Sequence, residues 1–190
     1  MPLDSFRWIS VTLSIILGFG VTRLLTAGVA MFRSRKSSEL DWVPLVWAGC
    51  VFLWQIQYWW AIIELPRLIE TWHLGQFMIL LGLALLLFVT AALVLPSSEL
   101  GKGEKLTDAF ERDGHWALPC LSIYFVIAFV ADWHFWGVAP LSYSGVLLGG
   151  LILTPLLFIA TPSRRMKEVI TVFYLLLSLW SGWELSPKSY

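Results

Sequence analysis

The sequence predicts an all-α fold: an integral membrane bundle of six transmembrane helices with one short helix on the cytoplasmic surface. Two observations carry this. The first is composition: 58% of the 190 residues are hydrophobic and 14% charged, against about 25% charged in an ordinary soluble domain, and the mean hydropathy is +0.75. The second is the grouping of the apolar residues into six runs, roughly 8–31, 42–63, 74–95, 116–136, 142–160 and 166–183. Each approaches the ~20 helical residues that cross ~30 Å of hydrocarbon. Strands are excluded because "MILLGLALLLFVTAALVL" is apolar on every side, whereas membrane strands alternate. The whole chain, 1–190, reads as a single polytopic domain with no soluble module.

The first run is too long for the apolar core of a signal peptide, has no A-x-A site, and is followed by "RSRKSS", which resembles a stop-transfer flank. It carries Ser10, Ser14, Gly18, Thr22 and Thr26 at a spacing of four. Such a stripe predicts a groove of small side chains that packs another helix closely. Arg23 sits within this run. A charge at membrane depth marks a candidate ion, anion or lipid-headgroup site, set against a simple snorkelling arginine that reaches a lipid phosphate or Glu168. Tyr124, Thr154 and Tyr174 are the hydroxyls at its depth.

The second run opens with Pro44 in its first turn and is expected to end at Pro66. Trp47, Cys50, Trp54, Gln57, Ala61 and Glu64 recur at three/four spacing and form one stripe. Gln55 is about 200° around the helix from Gln57. An amide facing lipid leaves its donors and acceptors unsatisfied, so both glutamines must meet protein and this helix must be central. The third run ends at Pro96. The loop that follows, "PSSELGKGEKLTDAFERDGHW", holds the predicted surface helix over about 107–114, with an apolar stripe of Leu106, Ala109 and Phe110 and a capping box of Asp108 with Glu111. The fourth run has Pro119 in its first turn and closes on "ADWHFWG". The fifth carries Gly145 and Gly149, a second close-packing signal, and an internal Pro155 that predicts a kink. The sixth is short in its uncharged part, and Arg165 and Lys167 are expected to snorkel to extend it.

Basic residues set the orientation. Nine (Arg33, Arg35, Lys36, Lys102, Lys105, Arg112, Arg164, Arg165, Lys167) fall in the odd loops and three (Arg7, Arg67, Lys188) on the other side. The odd loops are therefore expected in the cytoplasm and both termini in the periplasm. At the outer level lie Glu64, His73, Asp132 and His134, together with most of the tryptophans, Trp60 and Trp133 among them. These residues, with Gln57 as a floor, define the candidate site: an aromatic-walled pocket suited to a cation or a polar headgroup. Glu64 and Asp132 are expected to share its rim. The plainer account is an aromatic belt that anchors the bundle. No metal is expected, since the histidines and acids lack local ligand spacing, and no cofactor. Hydrolase, zincin and P-loop motifs are absent. Cys50 and Cys120 read as small buried fillers.

"LSIILGFGVTRLLTAG" (13–28) and "FLWQIQYWWAIIEL" (52–65), with "LTDAFERDGHW" before the fourth span, resemble motifs of an uncharacterised family of small multi-pass bacterial inner membrane proteins. The resemblance covers most of the first 120 residues. It implies a bacterial inner membrane location and no particular activity.

The functional expectation is a non-enzymatic membrane component that binds a small ligand, a lipid or a partner protein. Its partners would be the bilayer and either a second copy or another membrane protein, and not nucleic acid. The alternative is a small transporter or channel with a path past Gln57, Glu64 and Asp132. An apolar gap between Gln57 and Arg23 argues against a continuous path.

Overall fold

The computed structural model describes residues 2–36, 38–68, 72–101, 103–136 and 142–185, excluding the side chains of 2–5, 64, 66–68 and 134–136. The described residues form helices α1 (Pro2–Ser34), α2 (Trp42–Leu68), α3 (Leu74–Leu93), α4 (Leu106–Arg112), α5 (Ala117–Trp136), α6 (Tyr143–Ala160) and α7 (Arg164–Glu184), with a 3-10 turn at Gly114–Trp116 between α4 and α5. All six apolar runs are helical. Five helices are long and apolar enough to cross a membrane; α7, the expected sixth span, is not among them. Pro44 and Pro119 occupy first turns and Pro155 lies inside α6. Pro66 does not end α2, which continues to Leu68.

The six long helices close into a ring: α1 packs on α3, α3 on α5, α5 on α6, α6 on α7, α7 on α2 and α2 on α1. Helix α2 also touches α3 and α4, as befits the helix with two glutamines to satisfy. Gln55 is fully buried and donates to the Leu87 carbonyl of α3 at 3.4 Å. Gln57 is half-buried and donates to the Gly182 carbonyl of α7 at 3.1 Å. The two amides thus tie α2 to different neighbours.

Helix α7 explains its own low hydropathy. Thr171, Tyr174, Ser178, Ser181 and Gly182 are buried, while Val169, Val172, Phe173, Leu176, Leu179, Trp180 and Trp183 are exposed. Its polar stripe faces α2 in parallel register: the indole nitrogens of Trp47 and Trp54 donate to Thr171 Oγ1 at 3.2 Å and Ser178 Oγ at 3.3 Å, and Gln57 follows at Gly182. Trp47 also stacks on Tyr174, with ring centroids 4.5 Å apart.

The expected groove of α1 does not form within the chain. Ser10, Ser14 and Gly18 are only half-buried and Thr22 and Thr26 exposed, and a side chain added at Gly18 would meet open space. The buried face is instead Leu13, Leu17, Gly20, Leu24, Ala27 and Met31, again at three/four spacing. In α6, Gly145 is buried, but a Cβ at Gly149 would also meet open space. The close approach there is at Gly150, whose Cβ would lie 3.1 Å from Leu177 of α7.

The loop end of the bundle gathers residues 35–36, 38–41, 94–101, 103–116 and 161–163. Helix α4 docks with Leu106, Ala109 and Phe110 buried, on the stripe expected of it. Its start differs from expectation: Lys105 occupies the N-cap position with no side-chain cap, so Asp108 and Glu111 form no capping box. A carboxylate the sequence reading overlooked holds this end together. Asp41 accepts from the Val43 amide at 2.9 Å, capping the start of α2. It also accepts from Thr107 Oγ1 at 2.7 Å and from both terminal nitrogens of Arg164, at 2.7 and 2.8 Å. One buried carboxylate therefore joins α2, α4 and α7.

Burial raises the Asp41 pKa, but the hydrogen bonds from Arg164, Thr107 and Val43 and the charge of Arg164 outweigh it, leaving the carboxyl below its ordinary value. A depressed folded-state pKa adds stability above the unfolded value of about 3.9, and that stability is lost as pH falls through the lower folded value. Arg164→Ala is expected to make acid unfolding in detergent begin at higher pH. Because Arg164 is 44% exposed, the neutral-pH loss should be only on the order of 1 kcal/mol. Acid titrations of the two proteins that superimpose would remove Asp41 from this role.

Candidate functional site

A cavity of about 200 Å³ lies between α2, α3 and α5 at the end of the bundle where α1 begins, closed on one side by Leu148 of α6 and Leu185 just after α7. Its polar lining comes from three helices: Gln57 and Tyr58 of α2, Gln76 of α3, and Tyr124 and Asp132 of α5. The helices set this convergence. Gln57 and Tyr58 straddle the cavity edge of α2, with Gln57 tied back to α7. The Tyr58 hydroxyl donates to the Leu80 carbonyl of α3 at 2.7 Å. Gln76 is held by its own helix start, where its side-chain oxygen accepts from the His73 amide at 3.1 Å.

Aromatic rings make the inner wall. Trp54 meets Phe125 edge-on at 4.7 Å, and Tyr58 meets Tyr124 edge-on at 6.3 Å. Apolar residues such as Ala61, Ile62, Ile79 and Ala128 complete the lining. Asp132 is half-buried and is the one charged residue among the described lining residues.

Of the residues the sequence pointed to, the structure brings Gln57 and Asp132 into this cavity. His73 stands at the N-cap position of α3, exposed, and contributes through Gln76 rather than directly. Trp60 is half-buried and Trp133 is 55% exposed, and neither is among the described lining residues. Trp8, Trp133, Trp180 and Trp183, expected at the outer level, are exposed on the surface of the bundle, so they do not wall the pocket. The side chains of Glu64 and His134 lie outside the described residues, and with them the expected sharing of a rim by Glu64 and Asp132. Tyr58, Gln76 and Tyr124 were missed. Among the described residues no group of three His, Cys, Asp or Glu could hold a metal ion.

Arg23 is elsewhere. Its Nη2 donates to the carbonyls of Ala92 and Leu95, both at 3.1 Å, where α3 ends ahead of Pro96. Ala92 lies in the last turn of α3, where carbonyls lack a partner inside the helix, Leu95 lies just past the C-cap, and a cation there also meets the negative end of the helix dipole. Arg23 therefore caps α3 rather than pairing with Tyr124, Thr154, Tyr174 or Glu168. The recess around it, about 280 Å³, includes Ser97, Ser98, Arg112 and Asp113, and Arg112 is already paired with Asp113 at 2.9 Å.

The fold defines the class: an all-helical chain, in its described residues, with five helices long and apolar enough to cross a membrane. No protein-family model, no curated protein and no solved structure matches the chain.

Proposed function

We propose that the chain is an integral membrane protein of six spans, with α7 as the sixth, that binds a small ligand without transforming it. The cavity between α2, α3 and α5 is the binding site and opens on the outer face, where both termini lie. The observation that carries this reading is the convergence of Gln57 and Asp132, from different helices, in one aromatic-walled cavity. Concave sites with a few convergent polar groups on an apolar wall are the usual form of small-molecule sites.

The sixth span is supported by the inverted faces of α7, polar inward and apolar outward. Orientation is supported by the sequence, which has nine basic residues in the odd loops against three on the other side. The inner membrane of a bacterium is the location that the resemblance of 13–28 and 52–65 favours. Binding is preferred to transport because along α3 the buried Leu87, with the buried Gln55 amide on its carbonyl, stands between the cavity-lining Leu83 and the Ala92 carbonyl that Arg23 reaches. Liposomes containing the protein should show no ion flux above protein-free controls.

Topology is tested by labelling. Ala61 lines the cavity and is exposed. Ala61→Cys, with Cys50 and Cys120 replaced by serine, should react with a membrane-impermeant maleimide added from outside. A reporter fused after Tyr190 should share that compartment, and one inserted between 94 and 105 should not. Labelling only from the cytoplasmic side would overturn the outward-facing site.

A further inference from the structure

We infer that this cavity selects a small organic cation, an alkylammonium of about choline size, held by the Asp132 carboxylate and the aromatic side chains of Trp54, Tyr58, Tyr124 and Phe125. The inference rests on the reading of the cavity as a ligand site and adds the chemical class of the ligand.

Charge comes first. Asp132 makes no hydrogen bond or ion pair with any described residue, although it is half-buried and lines the cavity. A carboxylate withdrawn from water without a partner is unfavourable, and a cation delivered to it removes that cost. An anionic ligand would meet the one charge in the described lining as a repulsion. The remaining polar groups do not reverse the preference. The Tyr58 hydroxyl proton is committed to Leu80 and a Gln57 amide proton to Gly182, and the donors that remain, such as the Gln76 amide, are neutral and do not offset the charge of the carboxylate toward an anion.

The kind of cation follows from the wall. Divalent ions such as Ca²⁺ require six or more oxygen ligands, mostly carboxylates and carbonyls, and this lining supplies a single carboxylate, its Gln76 oxygen being already engaged by the His73 amide. Four aromatic residues in one small cavity suit a cation whose charge is spread over carbon and weakly hydrated, because ring faces attract it without having to replace a tight water shell. The size limits it further: about 200 Å³ falls below the ~300 Å³ at which sites for drug-sized ligands begin.

The test compares choline with 3,3-dimethyl-1-butanol, which has the same shape with carbon in place of the charged nitrogen. Binding to the full chain in detergent or nanodiscs is followed by tryptophan emission, since Trp54 lines the cavity, and by calorimetry. Choline is expected to bind at least about tenfold more tightly than the alcohol, as a desolvated cation–aromatic site would give. Asp132→Asn should abolish most of that preference, and Asp132→Glu should keep part of it. If the alcohol binds as tightly as choline, the ligand site stands and the cationic class falls. If Asp132→Asn keeps the preference, the carboxylate is not the anchor and the inference is overturned. If neither compound saturates the wild-type protein, choline selectivity is wrong and the ligand-site reading loses its support. The wild-type comparison decides the matter even where a variant fails to fold.

Discussion

Trp47→Ala is expected to lower the unfolding free energy in detergent by about 3–5 kcal/mol, the range for truncating a large aromatic in a packed interior. Trp47 is fully buried. Its ring stacks on Tyr174 of α7 and meets Phe158 of α6 edge-on at 5.3 Å, and its indole nitrogen reaches Thr171. One side chain thus joins three helices. In lipid, helices gain little from hiding apolar surface from one another, so their association depends on close packing and internal hydrogen bonds. Alanine would leave a void where the ring was, and the lining atoms would lose their dispersion contacts outright. Trp183, 75% exposed on α7, is the control: Trp183→Ala should cost less than about 0.5 kcal/mol, as for substitutions away from packed features. Equal losses for the two variants in a denaturant or thermal titration would show that the α2–α6–α7 junction is not a packed core.

The helices were legible because an apolar run of helix length has few alternatives and because Pro44, Pro96 and Pro119 stand at ends. The glutamines were legible for a sharper reason. A primary amide avoids lipid and seeks a partner for its N–H groups, so two of them on opposite sides of one helix point to two neighbours, here α3 and α7. What the sequence did not reveal was rotation. In α1 both the buried and the outward faces are apolar, and periodicity cannot tell a protein neighbour from lipid. The stripe of small residues at 10, 14, 18, 22 and 26 was the visible pattern, yet the packed face passes through Leu13, Leu17, Gly20 and Leu24. Helix α7 offered a better signal: Thr171, Ser178 and Ser181 share one side of an otherwise apolar helix and point inward for the reason the glutamines do.

The site was legible in depth and not in azimuth. Counting residues along each span puts Gln57 and Asp132 toward the same end. It cannot say that α3 would stand beside them and bring Gln76, or that Tyr58 and Tyr124 would face each other. The tryptophans misled for a related reason. Their number at one level suggested a wall, but Trp8, Trp133 and Trp183 turn outward, and the wall is built from Trp54, Tyr58, Tyr124 and Phe125 farther inside. Arg23 was read by depth as well. Its partners are backbone carbonyls, exposed because α3 stops early, and a side-chain search along the sequence does not find them.

Gly20→Leu is the second large effect, expected to cost about 2–6 kcal/mol, with overpacking contributing about 1–3 and a disrupted buried amide about 1–3. Gly20 is buried, and even a single added Cβ would land on the amide nitrogen of Gln55. That nitrogen is the one that reaches Leu87 of α3, while the Gln55 oxygen is buried with no hydrogen-bond partner among the described residues. A side chain at residue 20 must therefore displace α1 or push the Gln55 amide off its bond to α3. Gln55→Ala should partly rescue Gly20→Leu by making room. The coupling in that double-mutant cycle separates a specific collision from a general defect in α1. Gly18→Leu, on the open side of the same helix, should be neutral or slightly stabilising, since leaving glycine gains up to about 1 kcal/mol of helix propensity. Equal stabilities for the leucine variants at 18 and 20 would mean that α1 does not approach α2 and α3 along the face that Gly20 marks.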